Sequence, residues 1–510
     1  APPAAAQDQP FQSELFLAGL DAPVHVAPVP SLPGVLLLAE QAGRVRRIVD
    51  GVPDAAPLLD IAPEVFLGGL SGLTTVLLHP DFPQQPYLYV YFSADALTYT
   101  LRRYAVAGPL ASPLDPAAGQ DVLVLAHPAM AFHGGNAAFG PDGKLYVAVG
   151  DLRKESPAYG CSAQDGSTPI GKLLRLEPDG AVPLDNPFVG DPTVDDRIAG
   201  FGLREPFGLT WDAASGALYV ADVGEVEREE VDVVPSGAPP PNFGWRYLEG
   251  SHCTGSVLCD PAACADPSFT PPAFEFDHGN GCCVIGGAVY RGRALPTLRG
   301  KYVFSDLCFE RFWTLRWFGP GQAVVEEVSA SIAQAGPALD HVVQITVDHQ
   351  GELLLVDNAH GVPGAGAIHR LVPRSLPLMT DTGELAVSAP APVGFRISTG
   401  GPAGAGLHYL LLGSTSGKAP GLAVDGWVLP LNAPDPYLDF TLGHANQGPL
   451  AGTFGPLDAH GNAFATLDFG GPLPASAVGT VVHHAFAVLD PAQLGKVVFT
   501  SNALDLALVP

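Results

Sequence analysis

Hydrophobic runs of strand type recur along this chain, each following a turn glycine and each ending near an acidic or small polar residue. Six stand out: LLLAEQAG around Leu38, YLYVYFSAD around Tyr89, GKLYVAVGD around Tyr146, GALYVADVG around Tyr219, GKYVFSD around Val303 and GELLLVDN around Leu354. They are spaced 51 to 84 residues apart. Residues 207–234 display one unit most clearly, as FGLTWD, AASG, ALYVADVG and EREEVDVV: strand, turn, strand and third strand. In that third strand Val231, Val233 and Val234 alternate against Glu229, Glu230 and Asp232, which predicts one wetter face. No single unit of this kind can bury both of its faces, but stacking units around an axis does so. The period, the Val, Leu and Tyr content and the Asp-Gly punctuation predict an all-β fold, a six-bladed β-propeller over residues 12–373.

Beyond it, residues 374–394 read as a linker, and the composition then shifts toward Gly, Ala, Leu, Pro and Thr with few charges. GLHYLLLGSTSG, WVLPLN, YLDFTLG, NAFATLDF and HHAFAVLD are short strand-like runs parted by turns, predicting a smaller β-sandwich at residues 395–510. Its low charge suits surface attachment or self-association. His483 and His484 are neighbours on one run, so they point to opposite faces and read as structural or solvated.

Composition narrows the setting. A formal charge of −27 excludes a nucleic-acid partner, because phosphate neutralisation needs basic patches, and it favours divalent cations. No apolar stretch reaches the ~18 residues a membrane span needs. The opening APPAAAQDQP lacks an initiator methionine, consistent with a secreted mature form after signal-peptide removal. Cys253, Cys259, Cys264, Cys282, Cys283 and Cys308 fall within 56 residues, with Cys161 far upstream. Such a cluster reads as disulfides stapling an extended loop in an oxidising compartment; the spacings do not match a zinc finger. Seven is an odd number, so one thiol is free or pairs between chains.

The strings AFHGGNAAFGPDGKLYVAVGD, IAGFGLREPFGLTWD, YVADVGEVEREEVD, PNFGWRYLEG, GKLLRLEPDG, GGAVYRG and AEQAGRV are spread over about residues 15–372 and, in content and in their order along the chain, resemble the soluble pyrroloquinoline-quinone (PQQ) sugar dehydrogenases and the related hedgehog-interacting-protein-like propellers. That resemblance implies a secreted dehydrogenase that oxidises an aldose or related sugar alcohol group by hydride transfer to PQQ, passing electrons to an external acceptor, with calcium beside the quinone. The alternative is a non-catalytic propeller that binds a ligand or builds extracellular structure. By resemblance, His133 is the base, Asp151 orients it, and Arg204 stabilises the reduced quinone. Gln41, Arg204, Glu205 and Glu229 lie near the cofactor, and Gly224 and Glu225 supply calcium with oxygen ligands. The preferred disulfides on the same grounds are Cys282 with Cys308 and Cys253 with Cys259.

Three departures stand out. His133 touches Gly134 directly, so counting back from Phe139 and Asp151 without a gap puts Phe132 at the base position. GLREP replaces the family's GLRNP, so Glu205 brings negative charge toward a cofactor that carries carboxylates. The family's GDGG or GDQG is GDLR here, with Arg153 a candidate partner for Glu205. Trp245 and Tyr247 either stack on a sugar face or pack between sheets.

Overall fold

The computed structural model describes residues 11–68, 71–108, 110, 113–126, 134–151, 160–256, 259–332, 339–373, 376–399, 402–493 and 495–510. Phe132, His133 and Arg153 lie outside them. The described chain is nearly all β. Leu38, Tyr89, Tyr146, Tyr219, Val303 and Leu354 each fall on the strand second from one edge of one of six separate antiparallel sheets.

The alternation within these strands explains their continuous hydrophobicity. Leu37 and Ala39 join a core with Leu73, Val76 and Leu88 of the next sheet. Leu36 and Leu38 turn the other way, to Leu354, Val356 and Ile368 of the last. Tyr89 and Tyr91 likewise meet Val147 and Leu174, and Tyr219 meets Tyr302 and Phe304. Both faces of each sheet are buried, so every second residue serves a different core.

The innermost strands are Pro23–Pro28, Leu73–Leu78, Gly134–Phe139, Pro206–Trp211, Val284–Val289 and Val342–Val347. Each packs on the next, and the sixth packs back on the first. Side chains stitch them together. Thr74 and Thr75 Oγ1 donate to the Gly135 carbonyl at 2.8 and 2.7 Å, Asn136 donates to Phe207 O, and Thr210 Oγ1 donates to Gly287 O at 2.6 Å. Gln344 Oε1 accepts from Val26 N–H at 2.6 Å. Gly208 and Gly286 are required where two of these strands touch, since a Cβ on either would lie 2.3 Å from the other's Cα. The outer strand of the sixth sheet, Phe11–Leu20, comes from the opposite end of the chain and pairs with Gly366–Pro373.

In four of the six runs the acidic or small polar residue near the end has a recurrent task. Ser93 Oγ accepts from Gly72 N–H at 2.8 Å, and Asp306 Oδ2 accepts from Cys282 and Cys283 N–H at 2.7 and 2.9 Å. Asp357 Oδ2 accepts from Asp340 N–H at 2.7 Å, and Asp222 takes the N–H groups of Arg204 and Glu205. In each case the end of the second strand clamps the entry to the first.

The third strand of the fourth sheet, Arg228–Val234, corrects one expectation: Glu229, Glu230 and Asp232 are buried rather than wet. The strand Phe274–Asp277 pairs on its outer edge, and the fifth sheet covers it. Burial holds the carboxyls of all three above their ordinary range, with Asp222 and Asp232 charges adding to the effect at Glu230.

After residue 375, two further sheets share one core. Leu378, Phe395, Ile397 and Leu467 meet Tyr409, Leu411, Phe486 and Leu506. The expected linker contributes to both, since Leu378–Thr380 pairs with Val393–Ser398, and Glu384–Ala386 pairs with Leu504–Val509. YLDFTLG is helical, not strand: Asp435 caps Pro436–Gly443 by accepting from Tyr437 and Leu438 N–H, with Pro436 in the first turn. His483 and His484 do face opposite ways, His483 toward Asp505 at 2.7 Å and His484 toward Tyr437. The fifth sheet is fastened to this region by ion pairs of Arg316 with Glu384 and of Lys418 with Glu326, and Lys418 is held within the region by Asp505 at 2.9 Å.

Disulfides join Cys161 to Cys259, Cys253 to Cys264 and Cys282 to Cys308, leaving Cys283 free. The expected Cys253–Cys259 pair is therefore wrong. Cys259 lies against Gly160, its Sγ 3.3 Å from that carbonyl, which brings it to Cys161. No zinc-finger cluster exists among the described residues; the one group of three suitable ligands, Cys282, Asp306 and Cys308, contains a disulfide.

Candidate functional site

A cavity of about 610 Å³ runs between the innermost strands, lined among others by Gln41, Gly134, Glu205, His341, Asn358 and His360. Gln41 is held there by donating its Nε2–H to Ser71 O at 3.0 Å. Gly134, the residue that follows His133 in the sequence, lines the cavity; His133 itself lies outside the described residues.

Asp151 and Arg204 meet beside this wall. Asp151 N–H donates to Arg204 O at 2.5 Å. The Asp151 carboxylate is 1% exposed and accepts from Ser162 Oγ at 2.8 Å and Trp245 Nε1 at 2.6 Å. Of its two expected places Trp245 takes the packing one: its ring is buried under Arg204, and its indole N–H fixes Asp151. Lys172 lies behind Ser162, its Nζ donating to Ser162 O and Ile170 O at 2.5 and 2.8 Å. Burial pushes the Lys172 amine down to about 7, against the pull of Asp151, Asp165 and Asp195.

Arg204 and Glu205 are positioned from below by Asp222, whose carboxylate accepts their backbone N–H groups at 2.8 and 2.7 Å. Burial pushes the Asp222 carboxyl up to about 7, although those N–H donors and the Arg204 charge favour its ionised form. The guanidinium donates to Val223 O at 2.7 Å, lies over the Trp245 ring and stands 3.9 Å from Glu205 Oε2. This pair neutralises much of the charge that Glu205 brings to the cavity.

Glu229, Gly224 and Glu225 sit elsewhere on the fourth sheet. The Glu229 carboxylate contacts His278 Nε2 at 2.8 Å and accepts from Val284 N–H at 2.8 Å. At the turn, Glu249 Oε1 accepts from the N–H groups of Glu225, Val226, Glu227 and Arg228 at 2.6 to 3.1 Å. Burial pushes the Glu249 carboxyl up, and these four donors more than reverse it, leaving it below its ordinary range. Because a trans peptide points its C=O opposite its N–H, the carbonyls of Gly224 and Glu225 face away from Glu249. Those outward oxygens are of the kind calcium takes. The fit to a quinone bearing carboxylates is different: the described cavity lining contains Glu205 and no lysine or arginine. The positive charge set against those carboxylates is the Arg204 guanidinium, which stands 3.9 Å from Glu205 Oε2 just behind the lining.

Sequence reasoning missed Asp222, Glu249, Ser162, Lys172, His341 and His360. Asp222 carried a signal, as the acid closing the ALYVAD run. Glu249 in NFGWRYLEG carried none, because its partners are backbone amides more than twenty residues away.

A family model described as Glucose / Sorbosone dehydrogenase matches residues 20–362. The HIPL1 protein of Arabidopsis thaliana is 25% identical over 344 residues, which cover 55% of this chain and 49% of the relative, so the chain spans about half that relative's length. The aldose sugar dehydrogenase YliI of Escherichia coli is 29% identical over 301 residues, 58% of this chain and 77% of the relative. Among solved structures, the PQQ-bound aldose sugar dehydrogenase of Streptomyces coelicolor shares the fold at a TM-score of 0.55 and 22% identity, covering 72% of this chain and 99% of that one. Two thirds of this chain lie within the matched region, which holds the cavity, Asp151, Arg204 and the Asp222 clamp: the chain belongs to the glucose/sorbosone dehydrogenase family.

Proposed function

We propose that this chain is an exported sugar dehydrogenase of the PQQ type, oxidising an aldose or related sugar alcohol group, with electrons passed to an external acceptor. Its six successive sheets are the blades of a six-bladed β-propeller over residues 12–373, followed by a β-sandwich accessory domain that is also suited to self-association. Three disulfides support an oxidising compartment, and no helix among the described residues is long and apolar enough to cross a membrane.

The observation that carries the reading is the coupling of Asp151 to Arg204 beside a cavity that also presents Gln41 and Glu205. In this arrangement the Gln41 amide and the histidines of the wall hydrogen-bond sugar hydroxyls. Asp151, locked by Ser162 and Trp245, orients the segment from which His133 takes a hydroxyl proton. Arg204 supplies a fixed positive charge where negative charge develops. Calcium belongs on the carbonyls of Gly224 and Glu225, where it would order the turn that Glu249 closes; PQQ would supply the hydride acceptor, with Glu229 behind its pocket.

A second reading, a propeller that binds a ligand without catalysis, is favoured by the carboxylate and lack of lysine or arginine in the described lining. Loading the protein with PQQ and calcium and following aldose-dependent dye reduction separates the two. The first reading expects reduction that falls at least about a hundredfold in Arg204→Ala. Sugar binding without PQQ binding or dye reduction establishes the second.

A further inference from the structure

A lysine is buried where the sheet around it asks for an apolar residue. Lys172 opens the third strand of the third sheet, paired with Val149 on one side and Phe201 on the other, and is 0% exposed. An ammonium group in such a place is costly unless it is hydrogen-bonded and set against opposite charge. Ser162 O and Ile170 O take two of its hydrogens, and the Phe201 ring lies 5.3 Å from Nζ. The opposite charge comes from three acids, Asp151, Asp165 and Asp195.

Two of these acids are served elsewhere. Asp195 forms an ion pair with Arg197 at 2.5 Å, and exposed Asp165 accepts from the N–H and hydroxyl of Ser167 at 2.9 and 2.8 Å. Asp151 differs. It is 1% exposed, its oxygens accept from the uncharged Ser162 hydroxyl and Trp245 indole, and among the described residues it forms no ion pair. The fixed charges of Arg204 and Arg246 lie over the Trp245 ring, with Arg204 turned to Val223 O and Glu205. Ser162 joins the two buried ions, its carbonyl accepting from the Lys172 ammonium and its hydroxyl donating to the Asp151 carboxylate.

We propose that Lys172, which does not line the cavity, is a positioning residue: its charge keeps Asp151 ionised and so holds the geometry in which His133 takes the sugar's proton. This rests on the reading of the chain as a sugar dehydrogenase. A cation this close favours the carboxylate, so removing it should raise the pH at which Asp151 takes up a proton by about one pH unit or more. Asp151 would then lose its acceptor role in mildly acidic solution. Burial holds the Lys172 amine down at about 7, so its charge is present throughout the acid range in which Asp151 titrates.

The Trp245 indole N–H, 2.6 Å from Asp151 Oδ2, reports the state of that carboxyl in the full chain without sugar or cofactor. Five tryptophans make its nitrogen-15 resonance resolvable, and its loss in Trp245→Phe assigns it. Lys172→Gln keeps an N–H donor for Ser162 O and removes the charge, with the fold checked by thermal unfolding. The acid midpoint of the indole resonance is expected to rise by about one pH unit in Lys172→Gln, and the acid limb of kcat/KM to rise with it, a roughly tenfold loss at any pH on that limb. A variant that is less stable but keeps the parent's midpoint overturns the proposal and leaves Lys172 as scaffold. A midpoint that moves without the acid limb overturns the part in the proton step. Should Lys172→Gln fail to fold, the parent decides: an indole resonance that steps as the amine titrates between about pH 6 and 10 supports the coupling, and a flat one overturns it. Absence of dye reduction in the parent loaded with PQQ and calcium overturns the dehydrogenase reading and the proton step with it, whereas the indole midpoints decide the charge coupling independently.

Discussion

Asp222 is 1% exposed, and both of its oxygens accept backbone N–H groups at the entry to the fourth sheet. Asp340 stands at the entry to the sixth sheet with its side chain 60% exposed, facing an equally open histidine. In the fourth sheet carboxylates are spent on holding backbone: Asp222 on Arg204 and Glu205, Glu249 on a whole turn. In the sixth, Asp357 does that work and leaves Asp340 open to solvent beside His360. The same side chain is therefore scaffold when its oxygens are filled by amides and solvent-facing when a second acid takes over the clamping.

Four experiments sharpen or break this contrast, beginning with the largest effect. Glu249→Ala strands four backbone donors and should cost about 3 kcal/mol in urea unfolding; a loss below ~1 kcal/mol would mean that solvent satisfies the turn. Asp222→Ala should cost about 2 kcal/mol and weaken sugar binding together with stability, because Arg204 and Glu205 lose their support. If binding is untouched, Asp222 is scaffold only.

The third concerns pH. Asp222, Glu230 and Asp232 all have carboxyl groups raised in the fold, Asp222 to about 7 and the others well above the usual range or in that direction. A raised carboxyl contributes stability that is complete below the unfolded range near ~4 and is lost as pH climbs through the folded value. Asp232, both oxygens of which lack a hydrogen-bond partner, is the one to change. Asp232→Asn should stabilise the protein by ~1 to 2 kcal/mol at neutral pH and flatten the decline above pH ~4 relative to the parent. A parallel pair of curves would disprove the buried-acid account. Smallest of all, Asp340→Asn should shift stability by less than ~0.5 kcal/mol, as expected for an open ion pair.

Much of the architecture was legible because its signals are local. Each of the six runs places alternate residues in two cores, and that demand writes itself into consecutive letters, as in LLLAE or LLLVD. The acid that ends such a run was visible too, though not its task, because Asp222 acts on residues seventeen and eighteen positions away. The misread elements failed for physical reasons. YLDFTLG has strand-like composition, but Asp435 and Pro436 ahead of it set a helix start. Glu229, Glu230 and Asp232 looked solvated because their charge suggested water, whereas Glu229 lies on one covered face of the strand and Glu230 and Asp232 on the other. Trp245 does pack, as one of its two readings had it, but its N–H aimed at Asp151, ninety-four residues earlier, left no local signal.

The pairing of Phe11–Leu20 with Gly366–Pro373 has a temporal consequence. During synthesis the first sheets can collapse against their neighbours as they leave the ribosome, yet the sixth sheet waits for a partner made some 350 residues earlier and kept unpaired through that elongation. Until then an exposed strand edge remains available to other chains, and the growing protein is most in need of a chaperone during that interval.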